Sequence, residues 1–288
     1  MTAQTLDEAA WRPLERGHQE RVDRLTAGHL GRRVEGRKHP VEDFLFTYYR
    51  HRPAHLRRWH PGPGTALGGA AAERAHWPHY GTAGGAAYLD LASFLGARGE
   101  TVRFVRELLS STHGRPAHLG CFGLHEWAMV YRQSPEQVRH ADWPLRLGSE
   151  GTDEVVERHQ LRCSHFDAYR FFTPPARPRN VLEPRRETQA AMEQPGCLHA
   201  GMDVYKWAYK LSPGVPGALT LDCFELAREI RELDMRASPY DLRHLGYEPV
   251  AIETAAGKAE YVAAQRAFAE RSQELRRRLI DACDRLLA

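Results

Sequence analysis

Apolar residues recur at intervals of three and four along much of the chain, the spacing that lines one face of an α-helix. Residues 5–30 place Trp11, Leu14, Val22 and Leu25 at that spacing. In residues 39–64, Pro40 suits a first helical turn and Phe44, Leu45, Tyr48 and Tyr49 give an apolar face. Pro53 breaks that segment and Pro61–Gly64 ends it. Residues 65–86 are rich in Gly and Ala and read as a loop. Helices are expected near 89–96, 100–112 and 116–132, then at 184–193, 197–211, 217–236 and 257–287. The last carries Tyr261, Phe268, Leu275, Leu279 and Leu286 on one stripe. Between them, residues 144–164 combine turn residues with alternating and β-branched positions, which predicts a small hairpin. The stretch TPPARPRN at 173–180 reads as a proline-rich loop. There is no repeat at a solenoid period and no low-complexity linker. The expected architecture is a mainly α single domain over residues 1–288. It has a small β hairpin or sheet insertion near 144–164, and the N-terminal helix 5–30 is free to pack as an arm.

Several of these helices carry polar groups on otherwise apolar faces. Leu198–Leu211 is apolar around most of its girth, with Leu198, Met202, Tyr205 and Tyr209 on one stripe and Trp207 beside it. The remaining polar stripe is His199, Asp203, Lys206 and Lys210. It faces either a strip of solvent or an internal pocket, and Asp203 and Lys206 are spaced to pair with each other. In the helix 217–236, Asp222, Glu225, Glu229, Glu232 and Arg236 form a solvated face, whereas Cys223, Ala227 and Ile230 point inward. The next inward position is Asp234. A buried carboxylate needs a partner, which Arg231 or Arg236 could supply. That helix stops at Ser238-Pro239, with Tyr240 and Asp241 on the following turn. Two further segments have the same character. GCFGLHEWAMVYR (120–132) carries His125 and Glu126, and RCSHFDAYRFF (162–172) carries His165 and Asp167 among Phe166, Tyr169, Phe171 and Phe172. One such histidine is simply a hydrogen-bonded core residue; several together raise the prospect of a shared polar cavity.

Composition narrows the function classes. The 288 residues are 42% hydrophobic and 27% charged, ordinary values for a globular chain. Formal net charge is +3, so there is no global polyanion signature, although Arg32–Lys38 and Arg50–Arg58 could form a local phosphate-binding surface. No apolar run reaches the roughly 18–20 residues that cross a bilayer. The polar N-terminus resembles no signal or transit peptide, so the expected compartment is the cytoplasm and no membrane partner is expected. The five cysteines include no C-x-x-C pair and read as buried free thiols. Arginine is the default cation; the only lysines are Lys38, Lys206, Lys210 and Lys258.

Among named chemistries, candidate metal ligands are His125, Glu126, His165, Asp167, His199 and Asp203, but H-E-x-x-H and paired Glu-x-x-His motifs are absent. G-x-S-x-G and the phosphate-binding loop are absent too. A nucleobase pocket suits the residues better: aromatic walls stack a flat ring and Asp, His or Arg reads its edge. Cleavage of an N-glycosidic bond passes through a cationic sugar. Asp203 or Asp234 could stabilise it or activate water, and a protonated histidine or Lys206 could assist the leaving base. This reading makes Asp203, Lys206 and Asp234 catalytic. His165, Asp167, Phe166, Tyr169, Tyr205, Trp207, His125, Glu126, Tyr240 and Asp241 then bind substrate, and no metal or cofactor takes part.

The stretches HPVEDFLFTYYRHRPAHLRRWHPGPG, GCFGLHEWAMVYR, RCSHFDAYRFFTPPARPRN and GMDVYKWAYKLSP, with DCFELAREIRELDMRASPYDL, together resemble a family of actinobacterial proteins commonly labelled 3-methyladenine DNA glycosylase. That resemblance implies excision of a modified base by N-glycosidic hydrolysis, with a nucleobase, nucleotide or damaged DNA as partner. Two alternatives stay open: a metal-dependent oxidase or hydrolase of a helical bundle, and a non-catalytic ligand-binding or scaffold protein.

Overall fold

A computed structural model of the chain describes residues 4–134 and 143–288. Helix is the dominant element: α1 (Glu8–Val34), α2 (Phe44–Tyr48), α3 (Pro53–Leu56), α4 (Ala71–Arg74), α5 (Leu91–His113), α6 (Leu124–Ala128), α7 (Gly148–Arg158), α8 (Phe166–Tyr169), α9 (Gln189–Met192), α10 (Leu198–Lys210), α11 (Gly217–Arg236) and α12 (Ala255–Leu287). Four short strands, β1 (Gln4–Leu6), β2 (Thr65–Gly68), β3 (Tyr80–Ala83) and β4 (Ala86–Leu89), form one sheet in the order β1-β2-β4-β3. The mainly α class is what the apolar periodicity predicts, and a small sheet is present as expected.

The sheet's place in the chain is a correction. Residues 144–164 are not a hairpin: α7 occupies Gly148–Arg158 and buries Thr152, Val155 and Val156, which recur at helical spacing. Only the isolated bridges Leu145↔Tyr240 and Leu161↔Asn180 flank it. The strands lie instead in the Gly/Ala-rich stretch that reads as a loop. There, Gly84 and Gly85 take positive φ of 55° and 78° and close the two-residue turn between β3 and β4. A turn with both central residues at positive φ matches the twist of paired strands, and glycine adopts it without strain. Small side chains hid these strands from a periodicity argument.

The chain forms two compact units, whose boundaries fall within α5, α10, α11 and α12. The first unit comprises Met1–Ser110, Asp203–Arg228 and Glu274–Ala288. The Asp7 side chain caps α1 by accepting from the Ala10 amide at 2.8 Å. Its Trp11 is fully buried with Trp59, Leu67, Ala70 and Ala87, and the indole donates to the Gly68 carbonyl oxygen at 3.0 Å. Arg74 is wholly buried against these rings. It donates to the Trp59 carbonyl oxygen and to Glu15, at 2.9 and 2.7 Å.

The second unit comprises Ser111–Met202 and Glu229–Gln273. Trp127 of α6 is fully buried, and its indole donates to the Ala237 carbonyl oxygen at 2.9 Å. Arg146 forms a two-pronged ion pair with Glu253, at 2.9 and 3.1 Å. No helix among the described residues is long and apolar enough to cross a membrane.

Candidate functional site

Local chain geometry in the second unit delivers polar side chains from four segments. Before α6 the chain turns through Phe122 and Gly123, with φ of 48° and 71°. Positive φ is strained for a bulky residue such as Phe122. That turn starts α6 and points His125 and Glu126 into the interior, where they are 3% and 6% exposed. The segment leading to His165 is clamped by Asn180, whose side chain accepts from the Cys163 amide at 2.7 Å and donates to its carbonyl oxygen at 2.9 Å. The turn entering α10 is held by Gln194, which accepts from the amides of His118 and Gly196, both at 2.8 Å. Gly196 is obligatory there, because a Cβ would lie 2.5 Å from the His118 carbonyl oxygen. His199 then follows on the first turn of α10, half-buried, and Asp234 sits completely buried near the end of α11.

These segments meet. His125 Nε2 donates to Asp234 Oδ1 at 2.8 Å, and Arg231 Nη1 donates to Asp234 Oδ2 at 2.8 Å and to Glu126 Oε1 at 2.9 Å. The His199 ring stands edge-on to His125 with centroids 4.3 Å apart, and the His165 ring stacks on His199 at 5.3 Å. His165 Nε2 lies 3.4 Å from Glu193 Oε1, and Cys121 Sγ lies 3.8 Å from His125 Nδ1. One donor atom each from His125, His199 and Asp234 falls within 4.8 Å of the others. The 2.8 Å His125–Asp234 separation is a hydrogen-bond distance, shorter than the roughly 3.3–3.6 Å edge of a tetrahedral shell whose bonds are about 2.0–2.2 Å, so a metal here would take the place of the shared proton and spread the two ligands slightly.

The electrostatics follow from burial and these partners. Burial alone would push His125 down, but the adjacent Asp234 carboxylate holds it well above the ordinary histidine value. Burial would raise Asp234; His125, His199 and Arg231 hold it well below the usual carboxylate range. Burial raises Glu126 and Asp234 adds to the effect, against the opposing pull of Arg231. Burial likewise pushes the Cys163 and Cys197 thiols up, so both are held as neutral thiols.

The structure sorts the residues expected from sequence. His125, Glu126, His165 and Asp234 belong to the second unit and to the cluster just described. Arg231, rather than Arg236, partners Asp234; Arg236 bonds instead to the Glu248 carbonyl oxygen at 2.8 Å. Phe166, Asp167 and Tyr169 lie on α8, half-buried, with Asp167 3.2 Å from Arg170. Tyr240 is buried at the Leu145 bridge, and Asp241 pairs with Arg243 of its own turn.

Asp203, Lys206, Tyr205 and Trp207 belong to the first unit. Asp203 is 2% exposed and accepts from Tyr49 Oη and from Lys206 Nζ, both at 2.8 Å. Lys206 Nζ stands 4.7 Å from the centre of the Trp207 ring. Tyr205 is fully buried and its hydroxyl shares a 2.9 Å hydrogen bond with His51 Nδ1. The basic stretches are partly neutralised: Arg32 pairs with Glu42 and Asp43, at 2.6 and 2.7 Å, and Arg57 pairs with Asp23 at 2.8 Å.

Sequence reasoning missed the grouping of His199 with His125 and Asp234. It also missed Glu193 as the partner of His165 and Cys121 as the neighbour of His125. The i, i+3 spacing of Arg231 and Asp234 and the i, i+4 spacing of Cys121 and His125 were the available signals; nothing local links α6, α10 and α11. Comparison with family models, with curated proteins and with solved structures finds no match to this chain.

Proposed function

We propose that the second unit binds a divalent transition metal through His125, His199 and Asp234 and uses it for hydrolysis. The observation carrying this reading is the convergence of three donor atoms within 4.8 Å from three separate helices. A purely structural His–Asp–Arg network has no need of a second imidazole edge-on at 4.3 Å. Two histidines and a carboxylate are the donor set of catalytic zinc and non-haem iron sites, which keep a position open for water or substrate. Arg231 would orient Asp234 from outside the coordination shell, as hydrogen-bonded carboxylate ligands require. Hydrolysis is favoured over oxidation because it needs only metal-bound water, whose pKa the metal brings toward neutrality. The family resemblance makes the N-glycosidic bond of a modified base the first substrate to test.

Elemental analysis of the purified chain tests the reading. About one zinc, iron or manganese per chain is expected, falling to background in His199→Ala and Asp234→Asn. Wild-type protein that is metal-free as purified, and that takes up none of the three on reconstitution, would overturn it.

A second reading has its own observation, the buried Asp203–Lys206 pair beside Trp207. It is a metal-independent N-glycosylase in which Asp203 stabilises the cationic sugar and Lys206 assists the leaving base. Base release that survives chelation but is abolished by Asp203→Asn would select it over the metal reading.

A further inference from the structure

The second unit also contains a cavity of about 270 Å³ lined by Arg115, His118, Arg162, Ser164, Gln194 and the apolar Pro116, Leu182, Ala191 and Met192. Its polar groups are unevenly used. Gln194 is committed to the backbone of His118 and Gly196. Arg115 spends Nη1 on the Glu193 carbonyl oxygen at 2.7 Å, which leaves the rest of its guanidinium available. The Arg162 guanidinium, the His118 ring and the Ser164 hydroxyl make no hydrogen bond or ion pair among the described residues. Ser164 is 7% exposed as a residue and contributes to the cavity wall. Among the described residues, no acidic side chain lines the cavity. Several arginines elsewhere in the chain are paired with carboxylates, as Arg12, Arg21, Arg32 and Arg271 are. Arg115 and Arg162, by contrast, face one cavity whose described lining carries no counter-charge.

We propose that this cavity is a binding site for a small organic anion, with a carboxylate or phosphate head held by Arg115 and Arg162 and a short apolar body against Leu182, Ala191 and Met192. Guanidinium groups suit both head groups because their planar forks donate two parallel hydrogen bonds to paired oxygens. The Ser164 hydroxyl and the His118 ring add donors for the remaining oxygens. The volume falls just under the ordinary range for ligand pockets, which restricts the body to about one ring. The position also suggests what occupancy does. Ser164 precedes His165 in the chain, Gln194 follows Glu193, and Arg115 holds the Glu193 backbone. A bound anion thus presses on both segments that present the His165–Glu193 pair. The site stands whether or not His125, His199 and Asp234 hold a metal.

Titration calorimetry on the full chain tests this with phenyl phosphate, benzoate and uncharged benzyl alcohol. At least one of the two anions should bind saturably, and the tighter one identifies the head group. Benzyl alcohol should bind at least about tenfold more weakly. Arg162→Gln, at an exposed residue with no partner among the described residues, should keep the wild-type melting temperature and weaken the anion about tenfold, with Arg115→Gln acting in the same direction. Three outcomes would each overturn the proposal: no saturable binding of either anion, benzyl alcohol binding as tightly as the anions, or a folded Arg162→Gln variant with unchanged affinity.

Discussion

Each unit of this protein has its own set of histidines in the interior, and the two sets keep different company. In the first unit, His18 donates to the Leu56 carbonyl oxygen at 2.8 Å, while His51 and His60 share 2.9 Å hydrogen bonds with the hydroxyls of Tyr205 and Tyr80. Their partners are neutral. Burial, helped by His55, pushes His51 down to about 4. Burial, with Arg74 and Arg58 nearby, pushes His60 down to about 3. In the second unit, His125 and His165 face the carboxylates of Asp234 and Glu193, and His199 packs against both rings. Similar depth therefore produces opposite chemistry. A neutral partner leaves an imidazole that supports packing; the buried Asp234 carboxylate instead holds a positive charge beside it, on the His125 imidazolium or on a cation that displaces its proton.

The largest expected effect tests the charged side of that contrast. Asp234→Asn leaves His125 without its counter-charge in a buried place and leaves Arg231 with Glu126 as its remaining carboxylate. Loss of one member of such a pair should cost about 3–5 kcal/mol, read from urea denaturation. A loss under about 1 kcal/mol would mean that the network contributes little to the fold.

The neutral side responds to acid. The unfolded chain protonates His51 and His60 near their ordinary value of 6.5, whereas the fold resists until about 4 and about 3. Their contribution is therefore complete above pH 6.5 and is lost as pH falls toward those values. The full loss is on the order of 3 kcal/mol for His51 and about 5 kcal/mol for His60, the latter only part-realised by pH 4. Denaturation midpoints measured between pH 7 and 4 should fall. His51→Gln and His60→Gln should flatten the slope; an unchanged slope in the double variant would remove these two residues as its cause.

A smaller effect separates site from scaffold. His199 is half-buried, so His199→Ala should fold, yet it should weaken metal binding by about 100-fold or more in competition with a chelator. An equal loss of metal on replacing His51 would erase the distinction between the two sets. The smallest effect belongs to Tyr80→Phe, which removes the hydrogen bond to His60 and a long 3.4 Å one from Arg74. A cost of about 1 kcal/mol is expected, against the several kcal/mol of Asp234→Asn.

Much of the helical frame is legible in the sequence, because helical periodicity is a local property. The prediction of 217–236 coincides with α11, and 197–211 and 257–287 match α10 and α12 to within two residues at each end. The same periodicity places Asp234 on the inward face of α11, where it is fully buried, and pairs Asp203 with Lys206. Legibility fails where local signals are weak. The stretch 116–132 reads as one helix, but Phe122 and Gly123 at positive φ confine α6 to Leu124–Ala128. The sheet is concealed by alanines and glycines, which signal a loop unless a partner strand is known.

The chain's own pattern thus determines which residues are helical, which faces turn inward, and that a carboxylate at 234 needs a partner. Tertiary structure alone decides which partner it is and what gathers around it. His125, His199 and Asp234 lie on α6, α10 and α11, and Arg231 rather than Arg236 completes the set. The physical reason is range. Periodicity acts over a few residues, whereas a cluster drawn from positions 125, 199 and 234 exists only after distant helices have packed and excluded the water that would otherwise weaken its charges.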